Sequence, residues 1–241
     1  MFEEFGVQAK VGMGERLYFS ATESNSQSLA FSPGKYFLIL DGAIESLRTY
    51  SGIADPSSIV YKGTFSLDEE NTLAGNVDIN LGNALNPYFR FATDSAYAKR
   101  WFPGAKEVEW ETIAQNESRF SLEVEKKAVA KEYGGYLFME LPESSHGITS
   151  MGFSYIEMKR QQPIRFGKLI IESYHYEIQL PEGYTLISPA VEIEKENETG
   201  RVKIMLKQQG NQLIADREFE LKKEVIQYNE FSAFNELWEA W

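Results

Sequence analysis

Ile170-Ile171-Glu172-Ser173-Tyr174-His175-Tyr176-Glu177-Ile178-Gln179-Leu180 alternates with a period of two. Tyr174, Tyr176, Ile178 and Leu180 fall on one side of an extended chain, and Ser173, His175, Glu177 and Gln179 on the other. Successive side chains of a strand point to opposite faces, so the stretch predicts a strand with one buried and one wetted face. Pro181-Glu182-Gly183 then turns the chain.

The same signal recurs on both sides. In residues 60–67, Tyr61, Gly63, Phe65 and Leu67 share a face, and an acidic turn over 68–72 follows. Leu73, Gly75, Val77, Ile79 and Leu81 then alternate with Ala74, Asn76, Asp78 and Asn80, which predicts a hairpin. Strands are expected over 119–129, with Phe120, Leu122 and Val124 inward, and over 135–141 and 151–158. Downstream, 191–195 and 201–207 form a hairpin through 196–200, and Gln212–Leu221 pairs next.

Two stretches change period. Residues 93–102 read as a short helix, with Thr93 as cap, Asp94 at the positive end and Pro103-Gly104 as the stop. Phe231, Phe234, Leu237, Trp238 and Trp241 form an apolar stripe at helical spacing after Asn229, a candidate cap. That helix is expected to pack back on the sheets. Residues 107–117 fit a loop or a helix. The fold expected is mainly β: an antiparallel β-sandwich with one short internal helix and a C-terminal helix. Residues 1–56 read as a distinct N-terminal segment, with strands at 7–11 and 36–40 around a polar loop over 20–34. Residues 57–241 read as the β-sandwich domain.

Composition excludes whole classes of chemistry. Cysteine is absent, so disulfides, thiolate nucleophiles and cysteine-ligated metals are excluded. Net charge is −12, which repels phosphate backbones and anionic lipid, so no nucleic-acid partner is expected. The first residues lack the basic and apolar segments of a signal peptide, and the apolar run 36–40 is too short to span a bilayer. Aromatic residues make up 14% of the chain, which suits pleated surfaces.

Tests for a reactive constellation give little. The two histidines, His146 in a turn and His175 on a polar strand face, are too few for a histidine-rich metal site. Ser154 in Gly152-Phe153-Ser154-Tyr155-Ile156 lacks the closing glycine of a nucleophile elbow. Gly12-Met13-Gly14 lacks the third glycine of a dinucleotide loop. Carboxylate pairs such as Asp68/Glu69, Glu140/Glu143 and Glu192/Glu194 leave a carboxylate-dependent hydrolase as one reading, although 36 acidic residues make such pairs common. No catalytic residue, metal ligand or cofactor is assigned. Trp101, Phe102 and Trp110 cluster around Pro103-Gly104 and are candidates for stacking on a sugar or holding a peptide; a small core beneath the short helix is the alternative. A free-standing carbohydrate- or peptide-binding module is therefore a second functional reading.

Several segments together resemble a known pattern. Residues 173–184 end in Leu180-Pro181-Glu182-Gly183-Tyr184, and Arg160-Gln161-Gln162-Pro163-Ile164 lies upstream. Leu73-Ala74-Gly75 occurs earlier, and 200–204, Gln212–Leu221 and 228–241 follow in order. This order is similar to the β-domain region that follows the core of bacterial transglutaminase-like multidomain proteins, a domain of unknown function. Residues 1–11 resemble the helix end and strand after that core's nucleophile. The core's cysteine would precede residue 1, and its histidine is missing from the window 15–50, so no catalytic residue carries over. The resemblance implies a non-catalytic accessory domain of a larger exported protein, in a periplasmic or cell-surface setting. Its partners would be the rest of that protein and a peptide or glycan.

Overall fold

The computed structural model describes the strands of residues 6–11, 15–20, 36–40 and 45–49 as backbone, and residues 56–241 apart from 115, 143, 145–147, 149–155, 157–158 and 167. Strands β1 (Gly6–Val11) and β2 (Glu15–Ser20) form one antiparallel hairpin, and β3 (Tyr36–Leu40) and β4 (Glu45–Thr49) another.

From residue 57 the described chain is mainly β. Strands β5 (Ser57–Leu67), β6 (Leu73–Gly82), β7 (Ala105–Ile113) and β8 (Glu117–Lys126) pair in the order β5-β6-β8-β7, with β8 between β6 and β7. Between β8 and the later strands lie β9 (Ala130–Tyr133), β10 (Tyr136–Met139) and β11 (Ile164–Arg165). Then come β12 (Ile170–Gln179), β13 (Val191–Glu196), β14 (Gly200–Gln209), β15 (Gln212–Leu221) and β16 (Val225–Ile226). One eight-stranded sheet results, in the order β13-β14-β15-β12-β5-β6-β8-β7. Every neighbouring pair is antiparallel except β12 and β5, which run parallel with Tyr174 opposite Tyr61 and Tyr176 opposite Gly63. The antiparallel expectation thus becomes a mixed sheet with a single parallel seam. Hairpin turns cannot join parallel neighbours, and here the whole of residues 68–169 separates them.

Alternation sorts the sheet into a dry face and a wet one. Tyr61, Phe65, Val77, Ile79, Phe120, Leu122, Tyr174, Tyr176 and Ile178 are buried on the same side. Their partners in the period, such as Lys62, Asp78, His175 and Asp216, line the opposite face. Across the parallel seam Tyr61 stacks on Tyr174 at 4.7 Å, and Phe65 meets Tyr176 edge-on at 5.5 Å. A second apolar cluster under the same face joins Val202, Phe219 and Leu221 to Phe231, Phe234 and Leu237 of the C-terminal helix α2 (Phe231–Ala240). This is the packing that the helical stripe predicts.

Three local readings need correction. The helix expected over 93–102 is split into α1 (Tyr88–Thr93) and a 3₁₀ turn over Ser95–Trp101. Asp94, not Thr93, caps that turn, its carboxylate accepting from the Ala96 N–H at 3.1 Å, while the Thr93 hydroxyl donates back to Arg90 O. The ambiguous stretch 107–117 is mostly β7, an edge strand whose register shifts twice against β8 and so hides its period. The C-terminal helix is entered through Gln227 rather than Asn229. Gln227 N–H donates to Glu230 at 2.9 Å in a reciprocal capping box that a single preferred cap residue does not reveal. Of the strand expected over 151–158, all but Ile156 lies outside the described residues; Ile156 itself is buried and belongs to neither strand nor helix.

Candidate functional site

Tyr133-Gly134-Gly135-Tyr136 reverses the chain in two residues. Both glycines have positive φ, 61° and 82°, the left-handed values that a tight hairpin requires and that side chains resist. The turn fixes the β9–β10 register, with Tyr136 opposite Tyr133 and Phe138 opposite Lys131. One face of this ribbon buries Ala130 and rests Met139 on the main core. The other presents Tyr133, Tyr136 and Phe138 to solvent at 79%, 52% and 59% exposure.

The ribbon stands over the end of the sheet where β5 and β12 both finish. Between them runs a groove of about 1090 Å³. Leu67, Leu206 and Leu213 from the sheet line its base, β10 contributes all four of its residues, and the segment after β12 forms the other wall with Leu186 and Ile187. Gln208 holds that wall. Its amide donates to Tyr184 O at 3.0 Å and to Gly210 O at 2.7 Å, and its carbonyl accepts from the Leu186 N–H at 2.5 Å. Seven large apolar side chains are exposed among the described residues, and four of them, Tyr136, Phe138, Leu141 and Ile187, line this groove. Glu69 and Glu132 are the charged residues lining it. Exposed apolar surface gathered in one concavity marks a binding surface, whereas scattered apolar residues need no such explanation.

A smaller depression of about 370 Å³ lies around His175. His175 Nδ1 lies 2.6 Å from Asp216 Oδ1, and Nε2 lies 3.5 Å from Glu177 Oε1. The hydrogen bond with Asp216 raises the imidazole above its ordinary value, against a smaller opposing effect of partial burial. Both ring nitrogens therefore face carboxylates that favour imidazolium. Among the described residues no group of three or more histidine, aspartate or glutamate side chains is arranged to hold a metal ion.

Glu172, in phase with Tyr174 and Tyr176 on its strand, is fully buried on the dry face. Its carboxylate accepts from the Ile148 N–H and, at 2.5 Å, from the Tyr174 hydroxyl. Nearby, Tyr61 donates to Ser144 Oγ at 2.5 Å, and Ser144 donates to Trp101 O at 2.7 Å. Burial drives both phenols far above their ordinary range, and the Glu172 charge adds to the effect. Both phenols therefore stay protonated near neutral pH. The cluster ties Ser144 and Ile148 to the sheet.

The candidate ligand residues from the sequence are packed together, but inwardly. Trp101 and Phe102 are buried in the main core, and Trp110 is half-buried. Phe91 meets Trp101 at 5.9 Å and Trp110 at 5.0 Å, while Trp110 lies 4.7 Å from Phe120. Phe102 packs on Phe65 and Tyr176. Trp101 and Phe102 leave no open face on which a sugar could stack. Among the acid pairs, Glu192 and Glu194 stand exposed on edge strand β13 and Asp68 and Glu69 in a turn; Glu143 lies outside the described residues, as do His146 and Ser154.

Residues 136–241 match the family model of a domain of unknown function with a solved structure (DUF3858). No curated protein matches the chain. A crystal structure described as a putative protease from Parabacteroides distasonis aligns with a TM-score of 0.52 and 18% identity, over 96% of this chain and 32% of that one. At that identity the likeness is one of fold. The chain spans about a third of the length of the structure it matches. No helix among the described residues is long and apolar enough to cross a membrane.

Proposed function

We propose that this chain is a non-catalytic accessory β-domain of a larger exported transglutaminase-like protein, working in the periplasm or at the cell surface by holding a polypeptide against its sheet end. The observation that carries the reading is the groove between the β9–β10 ribbon and the β12–β13 connection, where the exposed apolar side chains are concentrated. The order of segments that resembles the region after a transglutaminase-like core agrees with it. So does the occurrence of this fold within a chain about three times as long, described as a putative protease.

The described polar groups fit the same reading. Glu172, Tyr174, Tyr61 and Ser144 are committed to buried structural hydrogen bonds. His175 is held between two carboxylates on the wet face, with no nucleophile hydrogen-bonded to it among the described residues.

The test is direct. The purified chain is incubated with unfolded casein, with glutamine-containing peptides plus an amine donor, and with a polysaccharide panel. Expected is no peptide hydrolysis, acyl transfer or glycan cleavage above buffer. Turnover that a single substitution in this chain abolishes would defeat the proposal.

A further inference from the structure

We infer that the groove binds an extended apolar peptide segment bearing basic side chains, laid along the free edge of β10. The inference deepens the accessory reading and rests on it. Three observations lead to this ligand.

The first is the strand edge. In the described sheets β10 pairs with β9 alone, and β10 lines the groove along its whole length whereas β9 contributes Ala130 and Glu132. An unpaired strand edge offers alternating backbone donors and acceptors, which an extended polypeptide matches and a sugar or acyl chain does not.

The second is contrast with the two edges of the eight-stranded sheet. The outer strands of the eight-stranded sheet are both studded with glutamate: Glu107, Glu109 and Glu111 on β7, and Glu192, Glu194 and Glu196 on β13. Charge on an edge blocks the addition of further strands. Strand β10 reads Tyr-Leu-Phe-Met, with no charge at all. The large sheet protects both of its edges, whereas the β10 edge is left adhesive.

The third is the sign of the charge. Among the described residues Glu69 and Glu132 line the groove, and no lysine, arginine or histidine does. A basic side chain on the peptide meets a complementary carboxylate, and an acidic one meets repulsion in a wall that is otherwise largely apolar. Leu186 and Ile187 on the far wall, kept in place by Gln208, would then receive alternate apolar side chains of the bound strand.

The test uses the full 241-residue chain. Fluorescein-labelled peptides of about ten residues, enough to run the length of a typical strand, alternate apolar and polar positions, with lysine, serine or glutamate at the polar ones. Anisotropy titrations should rank lysine over serine over glutamate, with the lysine advantage shrinking as salt rises. Phe138→Ser and Ile187→Ser should each weaken the lysine peptide at least about tenfold, as loss of an interface anchor does. The double variant Glu69→Gln/Glu132→Gln should bring lysine and serine peptides to equal affinity. These side chains are exposed, so unfolding midpoints should hold; Phe138→Gln and Ile187→Thr replace the serines if they do not. No binding of any version, binding indifferent to both positions, glutamate binding as tightly as lysine, or capture of oligosaccharides in place of peptides would each overturn the inference. The two proposals fail separately: cleavage of a bound peptide defeats the non-catalytic reading and leaves the groove intact, whereas absence of binding without turnover defeats the groove and the holding of a polypeptide and leaves the non-catalytic reading standing.

Discussion

Glu172 and His175 lie three residues apart on one strand and face opposite environments. Alternation predicts both positions, since Glu172 is in phase with Tyr174 and Tyr176, and His175 with Ser173 and Glu177. What it cannot show is the partner that makes a buried carboxylate tolerable. That partner is the Ile148 N–H, which arrives from a segment distant along the chain. Glu172→Ala would leave both this N–H and the Tyr174 hydroxyl buried without their acceptor, at about 1–3 kcal/mol for each group. Glu172→Gln keeps one acceptor and should cost less; urea unfolding of the two variants checks the order. His175 gives a pH dependence of fixed sign. Its folded-state value is raised by Asp216 and then Glu177, so the stabilisation is complete below the ordinary histidine value of about 6.5 and disappears as pH rises through the raised one. These side chains are about two-fifths exposed, so the effect belongs in the range of about 0.2–1 kcal/mol for surface pairs. Urea midpoints measured from pH 5.5 to 9 should fall for the native chain more than for His175→Gln. Equal slopes would show that the pairing does not stabilise the fold.

At the level of elements, long strands were legible and short or irregular ones were not. Strands β5, β8 and β12 run for ten or eleven residues with clean alternation, so their buried faces can be read directly, while β6, β14 and β15 are as long but break the alternation in places. The Leu73-Ala74-Gly75 element has a simple physical origin: a Cβ on Gly75 would lie 2.1 Å from Thr64 O on the neighbouring strand. The ribbon that builds the groove was half visible. Residues 135–141 read as a strand, but β9 has four residues, too few for a period to show. The missed signal was Tyr133-Gly134-Gly135-Tyr136, a two-residue hairpin loop between aromatic residues. The tryptophans drew attention because they are rare and large, and those same properties suit them to the core. Helix α2 was legible as a stripe, but its polar anchor was not. Asn235, buried within the helix, accepts from the Ile156 N–H at 2.9 Å and donates to Ile156 O at 2.9 Å, tying α2 to the segment that also caps Glu172. Asn235→Leu preserves bulk and strands both backbone groups, so it should destabilise by about 2 kcal/mol or more. Hydrogen exchange should show α2 amides losing protection before those of β12. Uniform loss across the sheet would mean that the helix is not a separable element.

For the molecule as a whole, the family match and the physical core have different boundaries. The match runs over residues 136–241 and contains β12 to β15, whereas the sheet draws its other half, β5 to β8, from residues 57–126. The two halves meet at the parallel seam between β5 and β12. There Tyr174, Tyr176 and Ile178 are buried against Tyr61, Phe65 and the strands beyond, within one continuous apolar cluster. No hairpin in the sequence announces that seam, because the residues it joins are more than a hundred positions apart. It follows that the matched segment should not fold alone. Cut at residue 136, it would expose the β12 edge and strip the main cluster from Tyr174, Tyr176, Ile178 and Leu213, where each large side chain returned to water costs about 1.5–3 kcal/mol. Stabilities of whole domains are only about 5–15 kcal/mol, so exposing several such side chains exhausts the margin. Residues 57–241 keep both halves and the α2 cluster together. Prepared separately, 57–241 should unfold in one cooperative urea transition, while 136–241 should bind a hydrophobic dye and unfold without a sharp midpoint. A cooperative transition with dispersed amide resonances from 136–241 alone would mean that the second cluster under α2 suffices, and that the seam joins two independent folds and does not complete one.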